Sequence, residues 1–439
     1  MKIVIATPPG ILDNGKHVML FPSRCDWVGE FAPGTQYYPY ELAYLSALLK
    51  RETDHEVVML DGCVNQTDPD TYTQQIAELS PDLLITECGH LTYPTMTRIM
   101  QEVNPPQRII TGPYASRFPL QASDDGWQVI EGEYEAQIYN LLTGNEIPER
   151  VDLDWLPLPE DEDLNRLDYF DEACIDRGVI QAYATRGCPM ACDFCIAPIY
   201  YGGHKFSRSS HRVRQPDLIC DEIEHLANKY GDGFTGVFWN DETHNGNKRW
   251  LAEFAGTLIE RNLNGYHYDA MCGYWGWSEE LVALIARAGY KQLRIGFETL
   301  DEMVSSGIGK RVVPGKLRQL LVWLRHYGIR AHGTVMIGLP GSTRETDMRT
   351  LELLLDMKAD GLWNTCQHSP ATPNPGTPFY WQAKREGWLT TDKLEDYHWR
   401  NVVLSYPDYS REQIEEVRQA YYLLRANVRR ENDLLLVRG

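Results

Sequence analysis

Three cysteines define the chemistry open to this chain. Cys188, Cys192 and Cys195 stand in a C-x3-C-x2-C spacing within Arg186-Gly-Cys-Pro-Met-Ala-Cys-Asp-Phe-Cys-Ile-Ala-Pro198. One loop of that length can wrap a single inorganic cluster, because iron–sulfur cubanes are held by cysteine thiolates and normally take four of them. No fourth cysteine lies nearby in sequence. Three ligands leave one iron open, the arrangement expected when a cluster binds a small molecule rather than only carrying electrons. Structural zinc asks instead for paired C-x2-C knuckles or added histidines, and one such pair is present. Coincident spacing is the remaining reading, and the flanking residues weigh against it.

Those flanks, Arg-Gly-Cys-x3-Cys-x-Phe-Cys after the apolar run 178–185, resemble the signature of radical S-adenosylmethionine (SAM) enzymes. The resemblance implies a [4Fe-4S] cluster with Cys188, Cys192 and Cys195 on three irons and SAM chelating the fourth. An electron from the cluster would then cleave the sulfonium and release a 5′-deoxyadenosyl radical. It also implies that Phe194 packs by the adenine. Asn240-Asp241-Glu242 matches the place where the family meets the SAM amine, and acidic side chains there can accept charge-assisted hydrogen bonds. Ile295-Gly-Phe-Glu298-Thr resembles the fourth-strand Gly-x-Glu beside the ribose. Gly333-Thr334-Val-Met-Ile-Gly338-Leu-Pro-Gly341 resembles the fifth strand, with Thr334 and Gly338 facing the nucleoside. Pro373-Asn-Pro-Gly-Thr-Pro-Phe-Tyr380 resembles the sixth-strand loop. A flavodoxin, a ferredoxin or a reductase is the implied electron donor.

Two α/β layouts must position these groups. Residues 1–145 alternate short strands (2–6, 56–60, 83–86, 108–111, 128–131) with helices (40–50, 72–79, 96–102, 135–142), the pattern of a doubly wound, Rossmann-like parallel sheet. Ligands on such sheets bind beyond the carboxyl ends of the strands. Pro8-Pro9-Gly10, Asp61-Gly62, Thr111-Gly112 and Glu131-Gly132-Glu133 stand at those ends. Together with Tyr38-Pro-Tyr-Glu-Leu-Ala-Tyr-Leu45 they resemble the cobalamin-binding domain that precedes many radical SAM domains. The resemblance implies corrinoid contacts from Pro9, Thr111, Gly112, Gly132 and Glu133, with glycines letting backbone approach a broad planar ligand. The Asp-x-His-x-x-Gly motif of cobalamin mutases is missing, since Asp61-Gly-Cys-Val-Asn-Gln has no histidine at that offset. Bound cobalamin and an empty domain both stay open.

Residues 146–177, with their prolines and acidic run, read as a linker. From 178 to 380, six strand–helix repeats fit a partial (β/α)6, TIM-like barrel, with strands at 235–239, 266–270, 292–296, 330–337 and 361–364 after the first. Residues 381–439 form a C-terminal helical cap whose clearest helix spans 410–429.

The chain has 439 residues and a formal charge of −20. A strongly acidic protein is a poor phosphate binder, which excludes nucleic acid as the expected partner. The acidity reads first as a solvated surface, and second as a cleft that draws in a small cationic substrate such as an amino sugar. No apolar run reaches the ~18 residues of a membrane span, and the start reads as a strand rather than an export signal. Ten cysteines without such a signal point to a reducing, cytoplasmic setting. Tyr200, Tyr201 and Cys272 are the candidate substrate-side residues, and Arg208, Arg212 and Arg214 are either carboxylate binders or surface charge. The combined expectation is hydrogen abstraction from an unactivated carbon of a natural product, followed by cobalamin-dependent methylation. The alternative is a cobalamin-free radical lyase or dehydratase; an iron–sulfur sensor or electron carrier stands further off.

Overall fold

Through the first 145 residues, apolar segments of four or five residues alternate with amphipathic helices, and the strands they form are covered on both faces. The computed structural model describes residues 1–21, 25–28, 35–201 and 211–424. By their contacts these fall into two units: Met1–Tyr183 with Ile196–Ser207 and His225–Phe234, and Ala184–Cys195 with Arg208–Glu224 and Thr235–Gly439.

The strands of the first unit are β1 (Lys2–Ala6), β2 (Val18–Phe21), β3 (Cys25–Val28), β4 (Glu56–Leu60), β5 (Leu83–Glu87), β6 (Gln107–Thr111), β7 (Gln128–Val129) and β8 (Val179–Ala182). Five of them form one parallel sheet in the order β4-β1-β5-β6-β7. The order reverses between β1 and β5, the switch point where doubly wound sheets open a crevice at their carboxyl ends. Ile3, Val4 and Ile5 are all fully buried, as strands shielded on both faces require. Helix Pro69–Leu79 starts where the Asp68 side chain accepts from Thr71 N–H, with proline in its first turn. The antiparallel pair β2–β3 escapes the sequence reading because strands of four residues are too short to show a period.

The second unit holds β9 (Thr185–Arg186) paired antiparallel with β10 (Arg212–Val213). It also holds a parallel run β11 (Gly236–Trp239), β12 (His267–Gly273), β13 (Tyr290–Glu298), β14 (Arg330–Ile337) and β15 (Thr365–Pro370), neighbours in that order. Helices Lys248–Glu260, Glu279–Arg287, Pro314–His326 and Arg344–Ala359 connect successive strands. Both units are thus α/β with parallel sheets, as expected.

Three boundaries differ from the sequence reading. The run 178–185 is two strands, β8 and β9, because the Ala184 and Thr185 N–H groups turn to the Asp241 carboxylate. The last strand lies at Thr365–Pro370 rather than 361–364: Gly361, at φ +70°, closes the preceding helix, and the polar sequence Thr-Cys-Gln-His-Ser-Pro hides the strand. The C-terminal helix spans Arg411–Ala420, opened by a capping box at Ser410, and the expected stretch beyond 424 lies outside the described residues.

Candidate functional site

In the second unit the cysteine loop is fastened along its length. At its entry Gly187, with φ +81°, donates its N–H to Glu242 Oε2 at 2.7 Å. In its middle Asp193 N–H donates to Ile308 carbonyl at 3.2 Å, while Phe379 N–H donates to Asp193 carbonyl at 3.1 Å. Cys195 N–H closes a turn on Cys192 carbonyl at 3.0 Å. Gly309 lies against the loop so closely that a Cβ there would sit 2.6 Å from Ala191 carbonyl oxygen. Cys188 and Cys195 are half-buried and Cys192 is buried.

Burial, then the neighbouring Cys195, pushes the Cys188 thiol up to about 12. Burial likewise pushes Cys192 up to about 12, with Lys310 pulling the other way. Without metal these thiols keep their protons, and iron must displace them. Among the described residues no three His, Cys, Asp or Glu side chains converge as the ligands of one mononuclear ion do.

Asp241 and Glu242 follow β11, but they do different things. Asp241 is fully buried and both of its oxygens are engaged within the chain. Oδ1 accepts from Ala184 N–H (2.9 Å) and Thr185 N–H (3.1 Å), and Oδ2 lies 2.6 Å from His244 Nδ1. The expected contact of Asp241 with the SAM amine is therefore corrected: this carboxylate anchors the strand that enters the cysteine loop. Glu242 sits at the loop itself, where it is also a charged neighbour of Cys188.

At the end of β13 a bulge between Gly296 and Glu298 leaves Glu298 at φ +65°, an uncommon conformation for a residue with a side chain. Its carboxylate pairs with Lys310 Nζ at 3.1 Å and accepts from the Thr334 hydroxyl at 3.4 Å. Burial works against the Lys310 charge, yet the Glu298 carboxylate outweighs it and raises its pKa. Sequence reasoning missed Lys310, which sits in no motif. Thr334 and Phe194 are half-buried.

Gly338 departs from expectation. Its N–H donates to Asp347 Oδ2 at 2.8 Å, its carbonyl accepts from Tyr406 hydroxyl at 2.8 Å, and a Cβ there would meet Ile414 Cγ2 at 3.1 Å. That glycine serves the packing of the C-terminal segment and not a nucleoside. Cys272 lies buried in β12; burial, then Asp241 and Asp269, holds its thiol protonated. Arg214 is buried in an ion pair with Glu222 at 2.5 Å, so it is neither surface charge nor a ligand-seeking cation. Arg208 lies outside the described residues.

In the first unit the glycines at the strand ends answer to the chain itself. A Cβ on Gly62 would lie 2.7 Å from Pro9 Cα, and one on Gly10 would lie 2.7 Å from Gln66 Cα. The two loops interlock, and Asp61 latches them: it accepts from Thr7 hydroxyl (2.7 Å), Tyr169 hydroxyl (2.8 Å) and Cys63 N–H (2.8 Å). Gly112, at φ +90°, leaves no room for a Cβ beside the Glu87 side chain. Gly132, at φ +69°, donates its N–H to Ser116 Oγ at 3.0 Å, and Glu133 is buried. Thr111 is different. It is fully buried at the end of β6, and its hydroxyl has no hydrogen-bond partner among the described residues. A buried hydroxyl of this kind is costly unless a ligand or water engages it. Tyr200 and Tyr201 pack here too, buried, with Tyr201 hydroxyl donating to Glu41 Oε1 at 2.7 Å. Their burial agrees with a packing role, the reading that stands beside the substrate-facing one.

Comparison with known proteins follows the same two-part layout. Residues 183–354 match the radical SAM superfamily. Over 420 residues the chain is 24% identical to an uncharacterized methyltransferase of Pyrococcus horikoshii, covering 88% of each. Over 389 residues it is 25% identical to the anaerobic magnesium-protoporphyrin IX monomethyl ester cyclase of Cereibacter sphaeroides, covering 79% of this chain and 60% of the cyclase. Among solved structures, the radical SAM methyltransferase TsrM from Kitasatospora setae, with cobalamin and a [4Fe-4S] cluster bound, aligns at TM-score 0.67 and 16% identity. The alignment covers 90% of this chain and 78% of TsrM. The cobalamin-dependent SAM radical enzyme OxsB aligns at TM-score 0.66 and 14% identity, over 100% of this chain and 70% of OxsB. At these identities the structural likeness is one of fold.

Proposed function

We propose that this chain, which carries a radical SAM domain over residues 183–354, is a cobalamin-dependent methyltransferase acting on an unactivated carbon of a small molecule. The observation that carries the reading is the cysteine loop, three thiols on a backbone fixed at both ends and in the middle. Likeness over nearly the whole chain to a methyltransferase supports methylation over elimination, and likeness of fold to two radical SAM structures with cobalamin bound supports the corrinoid.

Cys188, Cys192 and Cys195 would hold three irons of a [4Fe-4S] cluster. Glu242 shapes the entry of their loop, and Phe194 and Thr334 would face the nucleoside of SAM. Thr111, with the backbone of Pro9 and Gly132 and the buried Glu133, would meet a corrinoid. The buried, unpartnered Thr111 hydroxyl is the feature that fits one. When bound, the cluster with SAM and the corrinoid supply radical generation and the methyl group, and the protein orients them and excludes water. The acidic charge favours a cationic substrate, and a flavodoxin, ferredoxin or reductase would deliver the electron. The ten cysteines of the chain suit a reducing, cytoplasmic setting, where thiols bind metal more often than they pair. Among the described residues no helix is long and apolar enough to cross a membrane.

The test is anaerobic reconstitution with iron, sulfide and hydroxocobalamin, followed by desalting, metal analysis and assay of SAM cleavage. Stoichiometric cobalt with about four irons per chain, and loss of the iron in Cys192→Ala, are expected. Cleavage of SAM to 5′-deoxyadenosine by protein that retains no cobalt would overturn the methyltransferase reading.

A further inference from the structure

We propose that Lys310 is the built-in counter-charge of the cluster and raises its reduction potential. The inference rests on the reading that Cys188, Cys192 and Cys195 hold a [4Fe-4S] cluster; nothing in the motifs or the relatives assigns this lysine a role.

Its position is fixed by backbone rather than by chance of side-chain conformation. The short helix Glu302–Gly307 ends so that Ile308 carbonyl takes the N–H of Asp193 inside the cysteine loop. Gly309 comes next, at φ +79°, pressed against Ala191. Lys310 follows, its own N–H donating to Ser305 carbonyl at 2.9 Å. The turn is held further by Val312 N–H donating to Ser305 Oγ at 2.7 Å and by Tyr274 hydroxyl donating to Arg311 carbonyl. An ammonium is therefore carried on a segment that touches the cysteine loop at two consecutive residues.

The side chain points the same way. Lys310 Nζ bonds Glu298 at 3.1 Å, with 15% of the lysine side chain and 9% of the glutamate side chain exposed. The Cys192 and Cys188 sulfurs lie within electrostatic reach of it, and they become charged once iron displaces their protons. Reduction of a [4Fe-4S] core from 2+ to 1+ adds one electron, taken from an external low-potential reductant, and makes the thiolate-bound cluster more negative. A fixed cation at a partly dry site favours the reduced state, because field strength rises as water is excluded. Lysine suits the task as a compact point charge. Glu298 works in the opposite sense and holds the ammonium in place.

The experiment is a redox titration followed by electron paramagnetic resonance, without SAM, on reconstituted full-length wild type, Lys310→Gln, Lys310→Arg and Glu298→Gln. Iron and sulfide are counted on each sample. Lys310→Gln should lower the equilibrium constant for reduction on the order of tenfold, seen as a more negative midpoint. Lys310→Arg should stay near wild type, and Glu298→Gln should shift to a more positive midpoint. Opposite signs for the two neutralising variants are the signature of charge, which a packing defect would not produce. A loaded Lys310→Gln at the wild-type midpoint would overturn the proposal. Should that variant hold no cluster, a Glu298→Gln midpoint at or below wild type would overturn it equally. A wild-type chain that takes up no cluster overturns the cluster reading itself, a result the iron count keeps separate.

Discussion

Asp241 Oδ2 and His244 Nδ1 lie 2.6 Å apart with neither side chain exposed, and the contact continues in both directions. On one side Asp241 receives the N–H groups of Ala184 and Thr185; on the other, His244 Nε2 lies 2.6 Å from the Tyr290 hydroxyl. Burial keeps the Tyr290 phenol protonated, so it can donate to an imidazole that donates to the carboxylate. Trp239, Trp250 and Phe254 pack around the imidazole. The chain of bonds connects β13 to the strand that feeds the cysteine loop.

Tyr290→Phe removes the last donor of that chain and leaves His244 Nε2 buried without one. The expected loss is about 1–3 kcal/mol of stability, the usual cost of stranding a buried polar atom. Urea unfolding of the metal-free protein measures it. An unchanged midpoint would mean that the hydrogen bond contributes nothing.

Gly309→Ala places a methyl group against the Ala191 carbonyl at a backbone angle that disfavours side chains. The strain falls on the cysteine loop, so iron content after reconstitution should drop severalfold while far-ultraviolet circular dichroism stays close to wild type. Full iron content in this variant would show that the loop tolerates displacement.

Asp347 gives the protein a pH dependence. Burial lifts its carboxyl from 3.8 to about 7, against bonds from Gly338 N–H and the Tyr409 hydroxyl. The folded pKa stands above the unfolded one, so the native chain holds a proton that the unfolded chain releases. That contribution is complete below about pH 3.8 and is lost as pH rises through about 7. Asp347→Asn keeps an acceptor for Gly338 and Tyr409 but does not titrate. Between about pH 5 and 8, wild type should therefore lose stability relative to the variant, by about 1–4 kcal/mol. A difference between the two proteins that is flat, or that grows in favour of wild type with pH, contradicts this.

The parts of this protein legible in its sequence are those written in local pattern. The cysteine spacing, the alternation of strand and helix, and strands such as Lys2–Ala6 and Glu56–Leu60 depend on neighbours within a few residues. What the pattern hides depends on distant partners. Gly62 reads as room for a ligand and proves to be room for Pro9. Asp241 sits in the expected triplet, but its bonds go to residues more than fifty positions earlier. Gly338 belongs to a fifth-strand motif, yet its backbone is claimed by Asp347 and Tyr406. Lys310 has no local signal, since its meaning comes from a loop packed against it in space. Motif matching located the site and assigned some of its residues to the wrong partner.

The clamp on Asp193 also bears on how the protein is made. Its two backbone partners, Ile308 and Phe379, belong to stretches synthesised long after the cysteines. Chains emerge amino terminus first, so the three thiols leave the ribosome in a loop that lacks both fastenings. A receptive seat for iron exists only once the later strands have folded onto it. On the proposed reading, cluster insertion is then a step performed on a finished apoprotein, and the interval before it is when these thiols are most open to oxidation.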